Sequence, residues 1–191
     1  MATDLASAVA ALAGGEVVGV PTDTVYGIAA DPFSREAVES LFAAKGRPAV
    51  KPIPILAADV GGGERIGRLE GAALRLAGLH WPGPLTLVVR RAPGLPEWIG
   101  DPRRDSVGVR VPDHPVALAL LAAAGPLAVT SANRTGRPPV ADHAAAREVL
   151  GDAVAVYLEG RGAGGAASTV LDLTGPEPRL LRPGPVGFPA A

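Results

Sequence analysis

The sequence predicts a single α/β domain built on one twisted sheet that mixes parallel and antiparallel strands, with helices flanking it. A length of 191 residues suits one hydrophobic core. Apolar residues make up 48% against 19% charged, a balance that favours folding over disorder. Apolar segments of strand and helix length alternate, with glycine or proline at most joints. The 25 glycines and 20 prolines punctuate these segments without forming tracts, which implies tight turns and short elements. Strand spacing is too uneven for a strictly parallel, doubly wound order, so a mixed sheet is expected.

In chain order, Thr3 is the expected cap of a helix over about 4–13, ended by Gly14 and Gly15, and a buried strand follows over 16–20. Ser34 caps a helix running to Ala44, with Val38, Leu41 and Phe42 on one face, and residues 53–57 read as a strand. A helix is expected over 69–79, strands over 85–90 and 107–111, and a helix over 115–124 that begins beside His114. Residues 127–130 form a short strand and 144–150 a helix with Asp142 near its start. Strands over 154–158, 169–173 and 179–181 complete one domain spanning 1–191, with about 185–191 as a flexible tail.

Composition narrows the chemistry. A formal net charge of −1 argues against a uniformly basic nucleic-acid protein but leaves room for a local basic surface. With no cysteine there can be no disulfide, thiolate zinc site or cysteine nucleophile. His80, His114 and His143 lack metal-ligand spacing, so no resident metal site is expected. No apolar run approaches a membrane span and no basic segment precedes one at the start, so a soluble cytoplasmic protein without a membrane partner is expected.

Three groups of residues carry candidate chemistry. Pro21-Thr22-Asp23-Thr24-Val25-Tyr26-Gly27 follows a buried strand, where sheets present ligand-binding loops, and its small hydroxyls suit a polar ligand. Lys45, Arg47 and Lys51 put three cations within seven residues at a helix end, including both lysines of the chain, and suit a polyphosphate. Ser106 and Arg110, Ser131 and Asn133, Ser168, and Arg182 each lie at a strand end, where hydroxyls, an amide and guanidiniums can orient a nucleotide or an amino acid. Each group alone also has a purely structural reading, as a turn, a helix-end charge or a capping hydroxyl. Residues 160–165 lack the Gly-Lys-Ser/Thr of a phosphate-binding loop, and Ser131 has no evident histidine partner for a hydrolytic triad. Trp81-Pro82-Gly83-Pro84 reads as a rigid turn with a buried aromatic.

Taken in order, these segments resemble the YrdC/TsaC-like family of threonylcarbamoyl-AMP synthases. The match runs over Pro-Thr-Asp-Thr-Val-Tyr-Gly at 21–27, Lys-Gly-Arg-Pro at 45–48, Trp-Pro-Gly-Pro-Leu-Thr at 81–86, Val-Arg-Val-Pro-Asp-His-Pro at 109–115, Ser-Ala-Asn at 131–133, Ser-Thr-Val at 168–170 and Leu-Arg-Pro-Gly at 181–184. The resemblance implies a YrdC-like domain with a concave basic site that joins L-threonine, bicarbonate or CO2 and ATP into threonylcarbamoyl-adenylate, releasing pyrophosphate. This is the first step toward threonylcarbamoyladenosine in tRNA, so a threonylcarbamoyl transferase complex is the implied downstream partner.

By the same resemblance, Thr24, Arg110, Ser168 and main chain near Val129 hold threonine. Arg47, Lys51, Ser106, Ser131, Asn133, Arg182 and main chain near Pro139 hold ATP with its Mg2+. Lys45, Arg47 and Lys51 relieve charge during the reaction, and the segment from Arg182 onward is a candidate lid over a hydrolysable product. The longer relatives often carry Asn where Lys51 stands and His where Leu56 stands, and they have an extra C-terminal domain, so the short, single-domain type is implied here. The resemblance also leaves open a binding module for tRNA or double-stranded RNA, lined by arginines at 47, 90, 91, 103, 104, 134 and 137. Related carbamoyl-adenylate domains of hydrogenase maturation sit in larger multidomain chains.

Overall fold

The computed structural model describes residues 2–46 and 52–188. Helix α1 (Ala2–Ala13) leads into strand β1 (Val18–Val20), and β2 (Gly27–Ala30) returns antiparallel beside it. There follow α2 (Arg35–Ala44), β3 (Ile55–Leu56), α3 (Val60–Glu64), α4 (Ala72–His80), β4 (Leu85–Arg90) and β5 (Ser106–Arg110). The remainder is α5 (Pro115–Ala124), β6 (Leu127–Ser131), α6 (His143–Leu150), β7 (Val156–Tyr157), β8 (Thr169–Asp172) and β9 (Arg179–Arg182).

These strands make one sheet in the order β7-β1-β2-β6-β3-β5-β4-β8-β9. The pairs β1/β7, β3/β5 and β4/β8 are parallel and the others antiparallel, as a mixed sheet requires. Three expected helix starts are built as the sequence implies. Ser34 accepts the Ala37 N–H at 3.1 Å, Asp142 accepts the Ala145 N–H at 3.0 Å, and His114 Nδ1 accepts the Val116 N–H at 3.3 Å ahead of Pro115.

The structure corrects other expectations. Thr3 is not a cap, because α1 begins at Ala2 and already contains it. Gly27 does not belong to a loop but opens β2, whose residues Gly-Ile-Ala-Ala are all buried. Helix α3 was not expected, since three of its five residues are glycine. Asp59 nevertheless starts it by accepting the Gly62 N–H at 2.7 Å. The strands expected over 53–57 and 154–158 shrink to two residues each.

Side chains alternate between the two faces of a strand, and the two faces here are covered unequally. On one face Ile28, Ala30, Ile55, Val107, Val109, Ala128, Leu85, Leu87 and Leu171 pack with α2 and α4. On the other, Val18, Val20, Ala29, Leu56, Leu127 and Val129 lie with Ala8, Ala11 and Leu12 of α1 and Ala117, Leu120 and Leu121 of α5. No residue of β5, β4, β8 or β9 joins that second layer. On those strands the same face carries Ser106, Gly108 and Arg110 of β5 and Thr86, Val88 and Arg90 of β4, with Val88 opposite Gly108 and Arg90 opposite Ser106. Ser106 and Arg110 mark the two ends of this polar strip, about 13 Å apart at ~3.3 Å per residue.

Loop 21–26 closes the β1–β2 hairpin and is held from below. Tyr26 is fully buried and its hydroxyl donates to the Leu158 carbonyl at 2.8 Å. Gly162 lies so close that an added Cβ would fall 2.4 Å from the Val25 carbonyl carbon, so this position of the expected flexible turn is packed against backbone. Past β9, Thr169 Oγ1 donates to the Val186 carbonyl at 2.8 Å and accepts its N–H at 3.0 Å, strapping the chain across the start of β8. Replacing Tyr26 with Phe should lower unfolding free energy by about 1–3 kcal/mol, because the Leu158 carbonyl loses its partner inside the core. Chemical denaturation of the two proteins measures this, and equal midpoints would show that the bond does not anchor the loop.

Candidate functional site

Loop 21–26 joins two clusters of polar side chains. The first lies where α2 ends. Lys45 is 4% exposed, and its ammonium donates to the Ser131 and Asn133 carbonyls, the latter at 2.8 Å, and to Ser131 Oγ at 3.3 Å. Asn133 is fixed by the adjoining turn, donating to the carbonyls of Arg137 at 2.6 Å and Arg134 at 3.0 Å. Ser131 ends β6 opposite Gly27, the residue that follows the loop, so sheet register ties this cluster to residues 21–26. Arg47 and Lys51 lie outside the described residues.

The second cluster surrounds Arg110, which is 5% exposed at the end of β5. Its Nε donates to the Gly83 carbonyl at 2.9 Å, Nη1 to Thr24 Oγ1 at 3.1 Å and Nη2 to Asp23 Oδ1 at 2.5 Å. Thr22 Oγ1 donates to the Val25 carbonyl at 2.6 Å and lies 3.1 Å from Thr24 Oγ1, which orients both hydroxyls. Ser168, just before β8, sits 2.8 Å from Thr86 Oγ1. Arg182 folds onto Ser168 from the end of β9, donating to its carbonyl at 2.9 Å and its hydroxyl at 3.0 Å.

The electrostatics favour an anion. Burial lowers the pKa of Arg110, opposed by the Asp23 charge. Burial also lowers that of Arg182, and the Arg110 charge lowers it further, so the two guanidiniums repel across the cleft. Among the described residues Arg110 is paired with Asp23 and Arg182 is held by Ser168 alone, which leaves positive charge that an anionic ligand would neutralise.

Most of the expected residues fall on this surface, though not all in the same way. Arg110 is bonded to Thr24 and Arg182 to Ser168, two pairs whose guanidiniums sense each other's charge, while Lys45, Ser131 and Asn133 form a network of their own. Ser106 is buried at the far end of the β5 strip, and Pro139 is exposed in the irregular chain before α6. Val129 turns its side chain into the apolar layer and gives its N–H to the Pro54 carbonyl at 3.1 Å. Leu56 is buried in that same layer.

Asp23 and Thr86 were given no role by the sequence reading, although both stand inside quoted motifs. Their partners Arg110 and Ser168 are more than eighty positions away and become visible only in the fold. On the opposite face of the sheet a separate cavity of about 440 Å3 is lined by Phe42, Ile53, Ile55, Trp98, Asp101 and Arg103.

The chain matches the Sua5/YciO/YrdC family model, described as telomere recombination, over residues 10–184. It belongs to that family. A Mycobacterium tuberculosis member is 48% identical over 95% of this chain and 84% of its own length. The threonylcarbamoyl-AMP synthase of Pyrococcus abyssi is 40% identical over 89% of this chain and 51% of its own. The crystal structure of Pyrococcus abyssi Sua5 complexed with L-threonine superposes with a TM-score of 0.88 at 36% identity, covering 94% of this chain and 54% of that one. The seven ordered motifs therefore identified the family and its mixed-sheet domain.

One titration reports on the wall of the cleft. Burial lowers the pKa of His114, while the charges of Asp23 and Asp113 pull it upward. Protonation would also remove the Nδ1 acceptor that caps α5. The native value lies below the unfolded one, so this contribution to stability is fully present above about pH 6.5 and is lost as pH falls through the lowered native value. A proton titration followed by NMR should place His114 below the ordinary histidine midpoint. A midpoint at or above 6.5 would contradict the burial argument.

Proposed function

We propose that this chain is a threonylcarbamoyl-AMP synthase. It catalyses nucleotidyl transfer from ATP to N-carboxylated L-threonine, formed with bicarbonate or CO2, and releases pyrophosphate as the first step toward threonylcarbamoyladenosine in tRNA. The observation that carries the proposal is the joining of two cationic clusters by one loop. One holds the Arg110–Thr24 and Arg182–Ser168 pairs, suited to an amino acid, and the other the buried ammonium of Lys45, suited to a phosphate. Family membership and the threonine-bound relative support the same reading.

In this reading Thr24, Arg110, Ser168 and main chain at Val129 bind threonine. Ser106, Ser131, Asn133, Arg182 and main chain at Pro139 bind ATP together with Arg47 and Lys51. The carbamate oxygen attacks the α-phosphorus, and as its bond to that phosphorus forms, the bond from the α-phosphorus to the α,β-bridging oxygen breaks, so that pyrophosphate leaves with the electron pair. Nucleophile and phosphate are both anions, so the barrier falls as cations neutralise them. Lys45, Arg47 and Lys51 supply that charge. No covalent bond to protein is needed, because the carbamate oxygen is itself the nucleophile.

Asp23 is committed through Oδ1 to Arg110, and among the described residues no group of three or more His, Asp or Glu side chains is placed to hold a metal ion. That donor set fits Mg2+ held chiefly by the ATP phosphates, where it would add charge relief. The downstream acceptor of the adenylate is a transferase that modifies tRNA. Among the described residues no helix is long and apolar enough to cross a membrane, in keeping with action on soluble substrates.

The RNA-module reading gains no specific support. Arg90 spends its guanidinium on the carbonyls of Arg104 and Thr174, and Arg91 on those of Leu95 and Pro96. Purified protein with ATP, Mg2+ and bicarbonate should release pyrophosphate when L-threonine is added and not with serine, and no release with threonine from a folded sample would refute the proposal. Lys45→Ala should lower kcat by roughly 100-fold. Thr24→Ala should raise the KM for threonine about 10-fold while leaving the KM for ATP within about 2-fold. Equal shifts for both substrates would contradict this division of roles.

A further inference from the structure

The roles above leave one group in the cleft unused. Asp23 gives Oδ1 to Arg110, while its Oδ2 is buried without a hydrogen-bond partner. A carboxylate oxygen withdrawn from water is costly unless a donor meets it. The neighbouring hydroxyls are not available for this. Thr22 donates to the Val25 carbonyl, which leaves the Thr24 hydrogen for Thr22 Oγ1 at 3.1 Å, while Thr24 Oγ1 accepts from Arg110. Arg110 in turn uses three of its N–H groups on Gly83, Thr24 and Asp23, so two of the five that a guanidinium carries are left for a ligand.

We propose that Asp23 Oδ2 receives the ammonium of the incoming amino-acid substrate, before that nitrogen loses its proton and is carboxylated, while the remaining N–H groups of Arg110 meet its carboxylate, so that the buried pair acts as an entry clamp for an α-amino acid zwitterion. The proposal rests on the synthase reading and adds a specificity residue to it. An α-amino acid carries its two charges on groups one carbon apart. Asp23 and Arg110 offer the opposite charges on groups already hydrogen-bonded side by side. A lone Arg110 would select any carboxylate, whereas the pair selects one bearing an adjacent cation. Desolvation strengthens both contacts, since Arg110 is 5% exposed and the Asp23 side chain 12%.

The test is calorimetric binding of L-threonine and of 2,3-dihydroxybutyrate, the same skeleton with hydroxyl in place of ammonium, to the full chain with a non-hydrolysable ATP analogue present. Wild-type protein should prefer threonine by roughly 10- to 100-fold, the worth of a charge-assisted bond. Asp23→Asn should reduce threonine affinity by a similar factor and leave the dihydroxy acid within about 2-fold, collapsing the preference. Equal losses for both ligands would mean that Asp23 merely holds Arg110 in place, and would overturn the clamp. If the variant does not fold, the wild-type comparison decides, because equal affinities for the two compounds overturn the clamp while leaving the synthase reading intact. Failure of the wild-type chain to bind threonine at all overturns both.

Discussion

Arg110 sets the terms for the rest of the cleft. A guanidinium at 5% exposure has given up most of its hydration, and that loss amounts to several kcal/mol unless its N–H groups find partners. Those partners come from two separate stretches of chain, neither of them its own strand. Gly83 belongs to the turn before β4, Thr24 and Asp23 to the β1–β2 loop, and Arg110 itself to β5. One buried charge thereby fixes where two loops sit relative to the sheet. Removing a single partner would leave an uncompensated charge in the interior, so the network tolerates little local variation.

The cleft exists because the sheet is covered unequally. Helices α1 and α5 seal the half formed by β7, β1, β2, β6 and β3, and their apolar residues meet Val18, Val20, Ala29, Leu127 and Val129. Beyond β3 the same face changes character, with Ser106, Gly108 and Arg110 at alternate positions of β5. Gly108 keeps this strip low, since a Cβ there would approach Thr86 Cγ2 to 3.3 Å. The opposite face stays apolar across the sheet beneath α2 and α4, which supplies a rigid base for the polar strip. Fold and site thus follow from one pattern, in which a face that is apolar on one half of the sheet mixes Ser106, Arg110 and Thr86 with Val88 and Val170 on the other.

The parts legible in the sequence were those governed by local chemistry. Ser34, His114 and Asp142 announced their helices because a capping side chain needs only a backbone N–H two or three residues on. Strands β4 and β5 were evident from runs of branched apolar residues. Strand β2 was not, since Gly-Ile-Ala-Ala has little intrinsic preference for extended structure and becomes a strand by pairing with β1 and β6. The glycine-rich α3 is likewise held by its surroundings, with a Cβ at Gly63 only 3.2 Å from Leu69 and 3.3 Å from Val109. In the site, Arg110, Ser168 and Lys45 stood out as polar groups at element ends. Asp23 and Thr86 did not, because what defines them is a partner brought in by tertiary structure.

The central claim is that amino acid and nucleotide share one face of the sheet, the first at Arg110 and the second reaching the Lys45 cluster. A crystal structure of the chain with L-threonine and a non-hydrolysable ATP analogue tests it most directly. The account predicts threonine against Arg110, Thr24 and Ser168, with phosphate oxygens near Lys45 and Ser131. Either ligand bound instead in the 440 Å3 cavity between Phe42 and Trp98, on the opposite face, would contradict it.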